Sequence, residues 1–156
     1  MAEILAPREN PDLCGHEQAV KELSRVWRAG RLHHAWLLSG PRGIGKATLA
    51  FRFARFLLAG ENEAASNSLY TAPDHPVFYR VASGGHADLM TIERSINEKT
   101  GKRRGEIVVD DVRRIARLVS LTPGEGQWRV IVVDGGEEMN RNAANAILKY
   151  LEEPPA

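Results

Sequence analysis

Gly40-Pro41-Arg42-Gly43-Ile44-Gly45-Lys46-Ala47 meets the pattern G-x-x-x-x-G-K-[S/T] at Gly40, Gly45 and Lys46 and departs from it at the last position. Glycines in such a loop let backbone N–H groups turn inward around phosphate oxygens. The lysine reaches the outer phosphates, and the hydroxyl of the final Ser/Thr binds Mg²⁺. Ala47 has no hydroxyl. Thr48 follows it, but one step along a helix rotates a side chain by about 100° and turns Thr48 away from a metal. The stretch therefore predicts a phosphate cradle made of Gly40, Pro41, Arg42, Gly43, Ile44, Gly45, Lys46, Ala47 and Thr48, with Mg²⁺ binding weak or absent.

The flanking residues supply a context for that loop. Ala35-Trp-Leu-Leu-Ser39 is a short apolar run and reads as a buried parallel strand entering it. Residues 46–59 read as a helix leaving it, with Leu49, Phe53, Phe56 and Leu57 as its apolar face and Gly60 as the stop. Upstream, residues 1–15 read as an irregular arm. Residues 16–29 read as an amphipathic helix through Ala19, Val20, Leu23, Val26 and Trp27.

Downstream, residues 60–86 are polar and small and read as loop or insertion. Residues 88–93 read as a strand, 94–105 as a charged hairpin tip, and Ile107-Val-Val109 as extended. Asp110 is expected to cap a helix to about Ser120. Trp128-Arg-Val-Ile-Val-Val-Asp134 is the clearest strand, and Asn140 is expected to cap a last helix that Pro154 ends. Strands alternating with helices predict an α/β fold with a parallel sheet and helices on both faces. The length of 156 residues fits one domain, residues 1–156.

Asp134 stands at the carboxyl end of its strand. There a carboxylate lies beside a phosphate loop and can hold Mg²⁺ through water, or it simply caps a turn. Gly135 and Gly136 follow it, where a hydrolytic site would place a water-orienting Glu. No catalytic residue and no direct metal ligand is therefore assigned.

Bulk properties exclude some classes. Lys+Arg 21 against Asp+Glu 20 gives a net charge of +1, so only local clusters could meet nucleic acid. Lys99, Lys102, Arg103 and Arg104 form one such cluster, readable as a DNA contact or as a solvated tip. Arg113, Arg114 and Arg117 fall on the polar side of their helix. One cysteine, Cys14, rules out a disulfide framework and a cysteine-based zinc site, so no zinc is expected. His33 and His34 are neighbours and cannot face one metal from a strand. His16, His75 and His86 show no partner spacing, and Trp36 and Phe53 read as core. No stretch approaches the about 20 apolar residues of a membrane span, so no membrane partner is expected, and the single cysteine fits a reducing cytosol, so a cytoplasmic location is expected. Glu152-Glu-Pro-Pro-Ala156 is expected to lead into a further segment.

Gly15-His-Glu-Gln18, Leu32-His-His-Ala-Trp-Leu-Leu-Ser-Gly40, Ser120-Leu-Thr-Pro123, Asn140-Arg-Asn-Ala-Ala-Asn145 and Leu151-Glu-Glu-Pro-Pro155 together resemble the AAA+ clamp-loader ATPases of bacterial DNA polymerase III, in particular the nucleotide-binding domain of the delta-prime subunits. That resemblance implies a P-loop (RecA-like) sheet and a structural subunit of a hetero-oligomeric ring that loads a sliding clamp on primed DNA during replication. It also implies a degenerate ATP site with little or no hydrolysis, onto which Gly40, Gly43, Gly45, Lys46 and Asp134 map. The family's arginine finger, lid and collar would lie beyond Ala156. Two alternatives stay open. One is an active motor subunit in which Thr48 or backbone groups hold Mg²⁺ and Glu137 is the base. The other is a nucleotide-binding module of another AAA+ context.

Overall fold

The computed structural model describes residues 3–60, 65–124 and 126–154. In order, these form α1 (Glu17–Arg28), α2 (Lys46–Leu58), α3 (Pro76–Ala82), β1 (Leu89–Ile92), α4 (Val109–Ser120), β2 (Val130–Val133) and α5 (Arg141–Glu152), with a 3₁₀ turn at Gly136–Glu138 before α5.

β1 and β2 pair in parallel, Leu89 opposite Val130 and Ile92 opposite Val133. Successive side chains on a strand alternate faces, and here both faces are covered. Val130 and Val132 meet α2 and α3 through Phe51, Ala54, Val77 and Val81. Ile131 and Val133 join Ile92, Ile107, Val112, Ile115 and Ala143 under α4 and α5. That two-sided burial is why Val-Ile-Val-Val carries no polar residue. Among the described residues the sheet has two strands.

α2 is enclosed. Leu49, Phe56 and Leu57 pack against Leu23 and Trp27 of α1, the Trp27 and Phe56 rings meeting edge-on at 4.9 Å. Phe51 and Ala54 pack toward the sheet. The single apolar face expected for α2 is thus two faces, as befits a helix sandwiched between layers. Phe53 is only partly buried, at the edge of the α1–α2 cluster.

Several expectations are corrected. The run 35–39 joins no ladder: Leu37 is 91% exposed and Trp36 38%, and only Leu38 packs inward. Parallel strands need partners remote in sequence, and none of the described residues supplies one. Trp36 is therefore not core; its Nε1 donates to His33 O at 3.1 Å. The segment is tied down instead by a bond between His34 Nε2 and Leu151 O at 2.7 Å. Residues 60–86 are not all loop, since α3 lies within them. Pro76 opens it, and the His75 Nδ1 accepts from Val77 N at 3.1 Å. Proline at a first helical position and a side-chain acceptor before it are helix-start chemistry. The cap of α4 is Val108 rather than Asp110. The Asp111 carboxylate accepts the Val108 N–H at 3.0 Å, while Asp110 pairs with Arg113. Asn140 caps α5 as expected, accepting from Ala143 N at 2.9 Å. Among the described residues, no helix is long and apolar enough to cross a membrane.

The arm before α1 is strapped to α2 by two arginines. Arg52 donates to Pro11 O and Ser68 O, and Arg55 to Arg8 O and Asn10 O at 3.1 and 3.0 Å. Arg55 is 1% exposed, with its guanidinium 4.5 Å from the Phe78 ring centre. Burial first, and then the nearby Arg52, pushes its pKa down to about 10.

Candidate functional site

Gly40 to Gly45 form the loop that leads into α2, and Lys46, Ala47 and Thr48 lie in the helix's first turn, where unsatisfied N–H groups and the helix dipole favour an anion. Gly45 is the N-cap, with φ 93°, a left-handed conformation costly for any residue with a side chain. Lys46 is the first helical residue. Its Nζ donates to Gly40 O at 2.8 Å and Pro41 O at 2.7 Å. The Ile44 side chain lies across Gly40, close enough that a Cβ there would sit 2.7 Å from Ile44 Cδ1. The loop is thus closed on itself. Ala47 and Thr48 follow in the first turn, and no hydroxyl stands at position 47.

An open cleft of about 270 Å³ runs beside the loop, lined by His16, Leu37, Leu38, Ile44 and Lys46 among others. His16 holds a left-handed φ of 66° before α1, and its Nε2 meets Ile44 O at 2.5 Å. It thus has the partner that sequence spacing did not reveal. The two residues are 28 apart, a separation at which no periodic signal exists.

Asp134 follows β2, its N–H bonded to Ile92 O at 2.9 Å. Its pKa is raised, first by burial, then by Glu93, Glu138 and Glu137, with Lys46 working the other way. A carboxyl whose folded pKa lies above its unfolded value binds the proton more tightly when folded. Its contribution to stability therefore falls as pH rises through the window between the two values, leaving a cost at neutral pH. Asp134→Asn is expected to raise the unfolding midpoint of the metal-free protein at neutral pH. Well below the ordinary carboxylate range that gain should vanish. A lowered midpoint at neutral pH would contradict this account.

Glu138 lies on the turn that leads into the last helix, where the sequence places it, but its two partners are not legible there. Its Oε1 accepts from Arg42 at 2.8 Å and its Oε2 from Arg94 Nε at 3.0 Å. It thereby joins the glycine loop to the end of β1 and to the turn after β2. Gly135 makes room for it. With φ 82°, Gly135 is left-handed, and a Cβ there would stand 2.8 Å from Glu138 Oε2. Gly135→Ala is expected to cost about 1–2 kcal/mol in urea unfolding, and less in a Glu138→Ala background. An unchanged midpoint would show that the turn tolerates a side chain.

Glu137 is exposed. The tip at 94–105 is a narrow hairpin with an antiparallel bridge between Ile96 and Arg103, presenting Lys99, Lys102 and Arg103 to solvent. Among the described residues no cluster of three His, Cys, Asp or Glu could hold a metal ion.

The described residues form an α/β domain with a small parallel sheet, in which a glycine loop leads into a helix that begins with its lysine and a carboxylate follows the second strand. A family model described as DNA polymerase III, delta subunit, matches residues 15–156. DNA polymerase III subunit gamma of Buchnera aphidicola (strain Sg) is 31% identical over 98% of this chain and 40% of its own length. Subunit tau of Escherichia coli is 30% identical over 96% of this chain and 21% of its own. Subunit delta' of Pseudomonas aeruginosa is 39% identical over 78% of this chain and 34% of its own. The chain belongs to the clamp-loader family of DNA polymerase III subunits. It spans well under half the length of these relatives.

Proposed function

We propose that this chain is the nucleotide-binding domain, with a P-loop AAA+ fold, of a delta-prime-type clamp-loader subunit. It serves as a structural member of a hetero-oligomeric ring in the cytoplasm. Through that ring it helps place the sliding clamp on primed DNA during replication. Its loop, Gly40 to Thr48 with Asp134 nearby, retains the capacity to cradle ATP and turns it over slowly or not at all.

The observation that carries the reading is Gly135. Its left-handed backbone and the Glu138 carboxylate packed against it occupy the place where a water-activating side chain would follow Asp134. The absent hydroxyl at Ala47 and the 39% identity to a delta' subunit point the same way. Repairing the site with Ala47→Thr and Gly135→Glu together would force a Glu side chain into a position built for glycine.

The second reading, an active motor subunit, draws on the gamma relative matched over 98% of the chain. Steady-state ATP hydrolysis by the full-length subunit, alone and with its partners, separates the two. Turnover of about 1 s⁻¹ or more by the subunit alone would sink the structural-subunit reading. Background-level turnover would sink the motor reading.

A further inference from the structure

Both cations of the phosphate loop are already engaged within the protein. Lys46 is held by two neutral carbonyls of the loop itself. Arg42 is held by a full negative charge, Glu138, brought from 96 residues further along. The two ends of that second pair differ. The Glu138 side chain is 19% exposed and fixed by its other bond to Arg94, whereas the Arg42 side chain is 82% exposed and free to swing. A phosphate group offers a guanidinium the same paired oxygens as a carboxylate. A phosphate entering the loop must therefore draw Arg42 away from Glu138, or lie beside a carboxylate that repels it.

We propose that Glu138 is a positioning residue that holds Arg42 out of the phosphate site, so that an internal carboxylate and the terminal phosphate of a nucleotide compete for Arg42. The proposal rests on the phosphate-binding reading above and concerns what sets the affinity of that site. Glycine at 135 is part of the arrangement, because a Cβ there would stand 2.8 Å from Oε2, the oxygen of Glu138 that Arg94 holds.

The test is titration of a fluorescent ATP analogue, without Mg²⁺, into wild type, Glu138→Gln, Arg42→Ala, the double variant and a Lys46→Ala control. Each is first checked for folding by urea unfolding. Glu138→Gln is expected to bind about fivefold more tightly than wild type, and Arg42→Ala more weakly. In the Arg42→Ala background the gain from Glu138→Gln should largely disappear, because the two residues act on one equilibrium. A side chain with a merely structural role would lose affinity on substitution, not gain it. Should Glu138→Gln not fold, Glu138→Asp keeps the charge but draws it back from Arg42, and it is expected to tighten binding in the same direction. Wild-type binding that Lys46→Ala weakens and neither Glu138 variant improves would overturn the latch and leave the phosphate-binding reading standing. A folded wild type and a folded Glu138 variant that both fail to bind would overturn both.

Discussion

Lys46→Ala is expected to weaken binding of an ATP analogue about 10- to 100-fold, the worth of one hydrogen bond to a charged group. Lys46 is placed for this by the helix it begins. Its backbone opens α2, and its Nζ folds back 2.8 Å from Gly40 O over the mouth of the loop. A phosphate oxygen in that mouth would replace neutral carbonyls as the partner of an ammonium group. The loss should be nearly independent of Mg²⁺, because position 47 offers no hydroxyl to the metal. The measurement is fluorescence anisotropy with and without Mg²⁺. Equal affinity of Lys46→Ala and wild type would mean that the loop holds no phosphate. Tight binding found only with Mg²⁺ would mean that the metal is held after all, and would favour the motor reading.

The largest stability effect is expected far from the cradle. Arg55→Ala should cost about 3 kcal/mol in urea unfolding, from the cavity left in a packed helix face and from two backbone carbonyls deprived of their donor. Those carbonyls, on Arg8 and Asn10, belong to the arm before α1. Hydrogen exchange of that arm should rise together with the loss of stability. Arg55→Met separates the two contributions. It keeps contact with Phe78 and removes a buried charge. Burial, and then the nearby Arg52, lower the pKa of Arg55 to about 10, the direction expected of a charge that costs stability where it sits. Arg55→Met should therefore be the milder variant. If Arg55→Ala is neutral, the arm is not strapped through these bonds.

The helices were legible because their signals are local. Periodicity from 16 to 29 and from 46 to 59 gave α1 and α2 to within a residue or two at their ends, and Asn140 announced α5 by its own capping chemistry. The sheet was half legible. The runs around Leu89–Ile92 and Val130–Val133 became paired strands, while Ala35–Ser39 did not. An apolar run states that it wants burial, not whether a neighbour is at hand to accept its backbone bonds. α3 was missed because seven residues are too few for periodicity to show. Of the candidate site, the contiguous loop and Asp134 could be read directly. His16, Arg94 and Glu138 could not, since each acts through a partner set by tertiary folding: Ile44, Glu138, and the Arg42–Arg94 pair.

The pairing of Leu89 with Val130 joins positions 41 apart along the chain. Closing so long a loop is an entropic toll that a helix of 12 residues such as α4 never faces. α4 lies within that loop, and its Val112 and Ile115 are part of the cluster that buries one face of the strands. The local helix α4 is therefore expected to form ahead of the β1–β2 ladder, an order that pulsed hydrogen exchange during refolding would check. The Glu138 bridge to Arg42 depends on that ladder, because Glu138 is carried by the turn that β2 delivers. The glycine loop is thus tied, through Arg42, to a contact that exists only once the long-range pairing of the strands is made.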